Sequence, residues 1–289
     1  MMKKILRSAW LGIVLLFMYL PILILAVYSF SDTATIGTSG SFSTMNYVNL
    51  FTSPELLRMI GGTFALAFGS AFIATVLGTI GAIGAFYSRK TPSRLIGLAN
   101  QVPVVNADVV TGFSICVLLI VVLGINKDTF APLVIGHVAL ASPFVYLSVV
   151  PKLKQMDNSI YEAALDLGAN ARQALFKVVI PQLIPGIISG FLLAVTLSLD
   201  DYFITTYTKP ATFDTISTYV VNATKGSHTE TKTALWALST VIFVVILVVV
   251  IGGNVLSGRK AGAKNEKNNL KTSSCVFGGA YGSGGHVVS

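Results

Sequence analysis

Charged residues are scarce in this chain: only 11% of its 289 residues are Asp, Glu, Lys or Arg, while 53% are hydrophobic. Soluble globular domains carry about 25% charged residues, so this sequence could not cover a water-facing surface of ordinary character. The mean hydropathy of +0.75 and several long apolar runs instead predict a protein that lies largely in lipid. This composition excludes a soluble enzyme. The net charge of +8 does not indicate nucleic-acid binding either, because basic residues in a membrane protein mark which side of the membrane a segment lies on.

Residues that carry catalysis or bind metals are also few. Cys116 and Cys275 form no CxxC pair, the three histidines are scattered, and no HExxH motif occurs. A phosphate-binding loop contains Gly-Lys followed by Ser or Thr, and the sequence has no Gly-Lys dipeptide. We therefore expect no catalytic residue, no metal site and no cofactor in this chain. If ATP drives the protein, a partner subunit must bind and hydrolyse it.

Six apolar segments are long enough to cross about 30 Å of hydrocarbon at about 1.5 Å per residue. They are Trp10–Phe30, Ile60–Tyr87, Val102–Gly124, Phe130–Val150, Leu183–Tyr207 and Ala234–Leu256. We predict an all-α integral membrane protein whose six-span domain covers residues 1–257. Residues 258–289 are rich in Gly, Ser and Asn and cannot bury enough apolar surface to fold, so we expect a disordered tail.

The distribution of basic residues predicts the orientation of the chain. Fifteen of the twenty Lys and Arg residues fall in segments on the same side as the N-terminus when six spans are drawn. The positive-inside rule then places both termini in the cytoplasm, together with residues 152–181 between the fourth and fifth spans.

The second span carries a face of small residues. Ser70, Ala74, Gly78 and Ala82 are spaced four apart and so lie on one side of a helix. Such a face allows another helix to approach closely in lipid. We expect it to pack within this chain, and a partner interface is the alternative.

Residues 152–181, the helical elbow, contain two predicted helix starts. Ser159 followed by Glu162, and Asn170 followed by Gln173, both have the spacing of a capping box. Each pair can satisfy free N–H groups of a first helical turn, which predicts two short helices at an angle to each other.

The rest of the elbow supports this prediction and suggests a docking surface. Gly168 stands between the two helices where a left-handed C-cap is expected, and Pro181 prevents the second helix from running unchanged into the fifth span. The surface offered to a partner comprises Glu162, Ala163, Ala164, Asp166, Leu175 and Phe176. An amphipathic helix lying on the membrane surface is the alternative interpretation.

The elbow also resembles a known family. Glu162-Ala163-Ala164, then Gly168, then Val178-Val179-Ile180-Pro181 are similar to the loop of permease subunits of bacterial ABC importers, with Val and Ile where Ile and Leu are usual. The resemblance covers about residues 1–257. It implies a coupling helix that docks on an ATP-hydrolysing subunit, with the residues from Glu162 to Pro181 named above forming the contact.

The same resemblance implies partners and a location. The partners are a dimer of ATP-binding subunits that hold ATP and Mg²⁺, a second homologous permease subunit, an extracytoplasmic solute-binding protein and the lipid bilayer. The location is the bacterial cytoplasmic (inner) membrane, and transport proceeds by alternating access.

Acidic residues inside the predicted spans indicate the charge of the solute. Asp108, Asp200 and Asp201 lie within spans, and no Lys or Arg lies inside any span to neutralise them. A charge in the bilayer costs about 2.5–3.5 kcal/mol or more, so such residues usually face an interior path. We expect a broken helix between Pro103 and Asp108. The alternatives are that Asp108 caps a helix and that the Asp pair lies at the outer interface.

Two tyrosines complete the predicted solute pathway. Tyr19 and Tyr202 can hold an ammonium group by cation–π contact, although aromatic residues also concentrate at membrane interfaces.

Two stretches narrow the resemblance. Residues 103–110 and 197–203 are similar to the second permease subunit of spermidine/putrescine importers, which implies a polyamine solute. The alternatives are an ABC permease for another small solute such as ferric iron, and an ion-coupled secondary transporter.

Overall fold

The computed structural model describes residues 2–32, 40–225, 236–241 and 243–244. The chain divides into two compact units, one formed by residues 1–48 with 229–289 and the other by residues 49–228. Within the described residues the structure is almost entirely helical, and the only β-type pairing there is one isolated bridge between Ser31 and Phe42.

The helices follow one another with short connections. In chain order they are α1 (Met2–Tyr28), α2 (Met45–Thr52), α3 (Pro54–Tyr87), α4 (Lys90–Val105), α5 (Asp108–Cys116), the π-helical segment π1 (Val117–Val122), α6 (Ala131–Gln155), α7 (Asn158–Asp166), α8 (Ala171–Ala174), the π-helical segment π2 (Leu175–Val179), α9 (Ile180–Asp200), α10 (Phe203–Thr208) and α11 (Ile216–Lys225).

The first unit contains α1 and the helical residues 236–241. The rings of Tyr28 and Trp236 pack edge to face, with their centroids 5.9 Å apart. The side-chain amide of Asn46 donates to the carbonyl oxygens of Ser29 and Ser31 at 2.9 and 2.8 Å, which fixes the turn that follows α1.

The core of the second unit lies where α3, α6 and α9 pack together. Ser70, Ala74, Gly78 and Ala82 of α3 are all buried, which confirms the predicted packing of this face within the chain. A Cβ atom built on Gly78 would lie 2.7 Å from the carbonyl oxygen of Ser142, so the backbones of α3 and α6 approach each other directly.

Four described helical stretches are long and apolar enough to cross a membrane, and the bent pair α4–α5 makes a fifth if it counts as one span. The four are Trp10–Tyr28, Pro54–Tyr87, Ala131–Gln155 and Ala171–Asp200. The predicted span Ala234–Leu256 lies mostly outside the described residues, and the predicted tail 258–289 lies entirely outside them. The sixth span and the disordered tail therefore stay predictions.

The third predicted span is broken. The predicted span Val102–Gly124 is not one straight helix, because α4 ends at Val105 and the chain bends by 111° before it continues as α5 and π1. Asn106 and Ala107 have extended backbone, with ψ of 150° and 137°, which ends the helical hydrogen bonding. The predicted break between Pro103 and Asp108 is confirmed.

The fifth predicted span ends earlier than expected. The prediction that it continues to Tyr207 is wrong, because α9 ends at Asp200 and Asp201 has extended backbone with ψ of 126°. The chain then restarts as the short helix α10, whose Ile204 is fully buried.

Candidate functional site

The helical elbow begins with α7, whose first turn is capped by Asp157. Its carboxylate accepts a hydrogen bond from the backbone N–H of Ser159 at 2.9 Å. The predicted capping box of Ser159 and Glu162 is therefore wrong: an acceptor two residues earlier takes this N–H group, and Ser159 already lies inside the helix. Hydrogen bonding from Ser159 lowers the pKa of the Asp157 carboxyl from its ordinary value.

The turn between α7 and α8 follows the predicted pattern. Gly168 adopts the left-handed conformation with φ of 86°. The side chain of Asn170 accepts from the N–H of Gln173 at 2.9 Å, and the side chain of Gln173 accepts from the N–H of Asn170 at 3.1 Å. The second capping box is therefore confirmed, and it starts α8 directly after the turn.

Pro181 lies where the elbow joins α9. Residues 171–200 form one continuous helix, but it does not run through this point unchanged. The N–H of Ile180 bonds to the carbonyl of Leu175, five residues back, as in a π turn. Pro181 has no N–H to donate, and this wider turn stands directly before it. The predicted change of the helix at Pro181 therefore takes the form of a π segment.

The acidic and small residues predicted to contact a partner lie on an exposed helix. Glu162, Ala163 and Asp166 are exposed on α7, and Ala164 is half-buried. Within the described part of the chain, neither Glu162 nor Asp166 has an ion-pair partner. Their charges are thus available to a binding partner.

The two apolar residues predicted for the same surface are placed differently. Leu175 is half-buried and packs against the core, whereas Phe176 is 65% exposed and borders an apolar groove of about 680 Å³ that α3 also lines. The ring of Tyr161 lies 5.3 Å from the ring of Tyr87 and joins α7 to the C-terminal end of α3.

The sequence analysis missed Leu167. This residue follows Asp166 at the end of α7 and is 88% exposed, which is the largest exposure of any large hydrophobic side chain among the described residues. Its position immediately before the left-handed glycine was the available signal, because a side chain there projects beyond the last helical turn. Ile160 and Leu165 of the same helix are 41% and 38% exposed.

Two of the predicted pathway acids lie at helix ends. Asp108 is the first residue of α5 and Asp200 is the last residue of α9, and both are exposed. Asp108 does not act as the cap of α5, because the N-cap residue is Ala107. In the part of the chain that the structure describes, neither carboxylate has a hydrogen-bond or ion-pair partner.

Asp201 differs from its neighbour, because it is buried and its oxygens are occupied. Oδ2 accepts from the N–H and the hydroxyl of Thr205 at 2.8 and 2.9 Å, and Oδ1 accepts from the N–H of Ile204 at 3.3 Å. Nε2 of His137 lies 3.8 Å from Oδ2. Sequence analysis treated Asp200 and Asp201 alike, whereas the structure encloses Asp201 and occupies its oxygens with hydrogen bonds from Ile204 and Thr205.

The two predicted tyrosines lie in different units. Tyr202 follows Asp201 and is half-buried, and its ring packs edge to face on Phe203 at 5.2 Å. Tyr19 is in α1 and is 48% exposed, with its ring 6.4 Å from that of Phe243. No three His, Cys, Asp or Glu side chains lie together as a metal site would need, among the residues that the structure describes.

Comparison with known proteins identifies the family. Residues 1–261 match the family described as the binding-protein-dependent transport system inner membrane component. The chain belongs to this family. It is thus an ABC importer permease and a multi-pass membrane protein, and its partners in general are an ATP-binding subunit and a solute-binding protein.

Two curated relatives cover most of this permease. It is similar to the putrescine transport system permease protein PotI of Escherichia coli, with 32% identity over 212 residues that make up 70% of this chain and 75% of PotI. It is also similar to the spermidine/putrescine transport system permease protein PotC of Haemophilus influenzae, with 29% identity over 252 residues, 87% of this chain and 96% of PotC.

Two solved structures share the fold. A chain of a bacterial ABC transporter involved in the import of the acidic polysaccharide alginate aligns with a TM-score of 0.61 at 20% identity, covering 87% of this permease and 96% of that chain. A chain of the methionine ABC transporter MetNI aligns with a TM-score of 0.55 at 17% identity, covering 70% and 95%. The permease therefore has the fold of an ABC transporter membrane subunit.

Proposed function

We propose that this permease imports polyamines, spermidine and putrescine, across the bacterial inner membrane by alternating access. The names of its relatives PotI and PotC support this solute class. ATP and Mg²⁺ are bound by a dimer of partner ATPase subunits, a second permease subunit completes the membrane domain, and an extracytoplasmic protein delivers the solute. The permease itself holds no cofactor.

The observation that carries the proposal is the pair of exposed carboxylates at helix breaks. Asp108 begins α5 after the 111° bend, and Asp200 ends α9 where the helix stops. An unpaired carboxylate at membrane depth costs about 2.5–3.5 kcal/mol or more, and a cationic solute removes this cost as it passes. Tyr202 and Tyr19 are the aromatic residues proposed to assist by cation–π contact. An anionic solute would instead require basic residues along the path.

Uptake of radiolabelled spermidine and putrescine tests the solute. We expect a strain that lacks the gene to lose uptake and the wild-type gene to restore it, with Asp108→Asn and Asp200→Asn each raising KM by about tenfold or more, the loss of one charged contact. Asp128→Asn is the matched control, since Asp128 is an exposed aspartate in the connection before α6. Unchanged uptake in the deletion strain, with no second polyamine system present, would overturn the polyamine assignment.

We also propose that α7 transmits ATP-driven motion to the spans. Glu162, Ala163, Ala164, Asp166 and Gly168 form the acidic, low-profile part of the contact, and Leu167 is its apolar tip. Leu175 and Phe176 lie in the π segment π2, and Pro181 lies at the start of α9. All three belong to the continuous helix Ala171–Asp200 that follows α7. A displacement of α7 is then passed to α9 through this helix and to α3 through the Tyr161–Tyr87 contact.

Co-purification of the ATPase subunit tests the coupling. We expect the wild-type permease to retain the ATPase, and Glu162→Lys or Leu167→Asp to weaken or uncouple it. Glu55→Lys is the matched control: it is the same charge reversal on an exposed residue at the start of α3, about 50 Å along that helix from Tyr87. Transport that persists without any ATPase would overturn the proposal and favour an ion-coupled transporter.

The proposed topology has six spans with both termini in the cytoplasm. The excess of Lys and Arg in the segments on the side of the N-terminus supports it. Reporter fusions test it: a fusion at Lys127 should report the extracytoplasmic side, and fusions at Gly168 and Gly258 should report the cytoplasm. A Gly168 fusion on the outside would exclude a coupling role for the elbow.

A further inference from the structure

A buried polar network joins α6 to the end of α9, and the transport mechanism above does not use it. His137 of α6 is fully buried, and its Nδ1 lies 2.9 Å from the carbonyl oxygen of Leu133. Because a carbonyl only accepts, Nδ1 carries a proton and donates it. The other ring nitrogen, Nε2, faces Oδ2 of Asp201 at 3.8 Å and the hydroxyl of Thr205 at 3.4 Å.

Both carboxylate oxygens of Asp201 take part in this network. Its two oxygens accept three hydrogen bonds from Ile204 and Thr205, and Nε2 of His137 lies 3.8 Å from Oδ2. Contact with a passing solute would leave buried donors unsatisfied, at a cost comparable to that of the lost bonds. Asp201 lies one residue before Tyr202, the N-cap of α10, and its side chain caps the first turn of α10 by accepting from two backbone N–H groups, unlike that of its exposed neighbour Asp200.

The helix that this cap holds is clamped between two others. Ile204 packs where glycines leave room: a Cβ on Gly112 of α5 would lie 3.2 Å from the Ile204 backbone nitrogen, and a Cβ on Gly136 of α6 would lie 2.7 Å from its side chain. The thiol of Cys116 donates to the Tyr207 carbonyl at 3.3 Å. The position of α5 thus follows the position of α10.

This arrangement connects the two acids proposed to contact the solute. Asp108 is the first residue of α5, which packs on α10, and Asp200 immediately precedes the capping residue of α10. Displacement of α10 would move both carboxylates at once.

We propose that His137 is a positioning residue that, through Asp201 and Thr205, holds α10 in place and thereby sets the geometry of Asp108 and Asp200. The inference rests on the proposed function for its effect on the solute. Two adjacent aspartates therefore have different roles: Asp200 contacts the solute, and Asp201 stabilises the position of α10.

A double-mutant cycle in uptake tests the assignment. We expect His137→Gln and Asp201→Asn each to raise the KM for spermidine by roughly tenfold, and the double variant to raise it by about the same factor, because both changes break one unit. If Asp201 contacts the solute independently, the factors multiply to about a hundredfold, and the proposal is wrong. Thr205 offers a conservative pair: Thr205→Ser keeps the hydroxyl and should keep the wild-type KM, whereas the isosteric Thr205→Val should raise it.

A second readout needs no solute. The thermal midpoint of the purified transporter should fall in each single variant, and the fall in the double variant should be smaller than the sum of the two. If the wild-type transporter does not import polyamines, the solute assignment fails while this coupling is still measurable. Additive midpoint shifts for His137 and Asp201 would show that the network does not exist and would overturn the inference by themselves.

Discussion

The contact of α3 with α6 at Gly78 gives a prediction that the geometry makes quantitative. In Gly78→Ala the new Cβ would lie 2.7 Å from the carbonyl oxygen of Ser142 and 2.7 Å from Cβ of Val145. Ordinary contacts are about 3.3 Å for carbon to oxygen and about 3.5–4.0 Å for carbon to carbon, so the helices must separate by roughly 0.8–1.3 Å.

The expected destabilisation follows from two opposing terms. Overpacking of a well-packed core costs about 1–3 kcal/mol. Alanine regains up to about 1 kcal/mol over glycine in a helix interior. The net loss for Gly78→Ala is therefore about 0–2 kcal/mol relative to the wild type, and about 1–3 kcal/mol relative to a Gly→Ala change at an open position of the same helix.

The loss is measured as the midpoint temperature at which the detergent-purified protein leaves its size-exclusion peak on heating. We expect the midpoint of Gly78→Ala to lie roughly 2–12 °C below that of a Gly→Ala change at an open position of the same helix. Gly69→Ala and Gly84→Ala are matched controls on the same helix, because a Cβ at either position meets nothing within 4 Å. Both controls should be neutral or slightly stabilising. If Gly78→Ala is as stable as the controls, the close approach of the helices is wrong.

A second substitution, at Val145, tests which atoms of α6 clash with the new Cβ of Gly78→Ala. Val145→Ala shortens the side chain but leaves its Cβ and the carbonyl of Ser142 in place, so it should not restore the stability of Gly78→Ala. Recovery in this double variant would mean that the outer atoms of Val145, which lie 2.9 Å from the new Cβ, are the only obstacle.

Three further predictions concern the elbow. The folded-state pKa of Asp157 is lowered, so its contribution to the stability of α7 is present above the unfolded-state pKa near about 4 and is lost as the pH falls through the folded-state value. The protection factor of the Ser159 amide, which is corrected for the slower intrinsic exchange in acid, should therefore fall at low pH. Gly168→Val should destabilise the elbow by about 1–2 kcal/mol, because a side chain strains the left-handed conformation, and limited proteolysis should cut it faster. Asn170→Ala should cost about 1 kcal/mol in thermal stability by removing the acceptor of the Gln173 N–H.

Each of these predictions has a control. Asp157→Asn keeps a capping oxygen but does not titrate, so a loss of Ser159 protection in acid that persists in this variant would assign the effect to another group. Gly168→Asn should be milder than Gly168→Val, since asparagine tolerates the left-handed region, and equal proteolysis would contradict the role of φ. Asn170→Asp keeps the acceptor and should retain stability; if it matches Asn170→Ala, the capping contact contributes nothing.

The parts that sequence analysis predicted correctly depend on neighbours along the chain. The left-handed Gly168 and the capping box of Asn170 with Gln173 are decided by groups three residues apart or fewer, so residue type and spacing suffice. The small-residue face of α3 follows from helical periodicity. The prediction of a capping box of Ser159 with Glu162 was wrong for a local reason as well. The carboxylate of Asp157 can accept from the N–H group of Ser159 just as that of Glu162 can, and in the structure Asp157 does so.

Contacts between residues far apart in the sequence could not be predicted from local patterns. His137 and Asp201 are 64 positions apart, and no local pattern marks either residue as the partner of the other; only the packing of α6 against the end of α9 and α10 brings them within 3.8 Å. The end of α9 at Asp200 was also not predicted, because apolar residues resume at Tyr202 and no Pro or Gly stands at this point to mark the end of a helix.

Composition and spacing by themselves determined that this chain belongs in lipid, that its elbow is helical, and that its acids are unusual in such a setting. They did so because the transfer free energy of a side chain and the capping of a helix depend on residue type and near neighbours. The tertiary structure decided which acid is free and which is enclosed. Asp200 and Asp201 are identical and adjacent, but the packing of α6 against α10 encloses the side chain of Asp201 beside His137 and Thr205 and leaves that of Asp200 exposed.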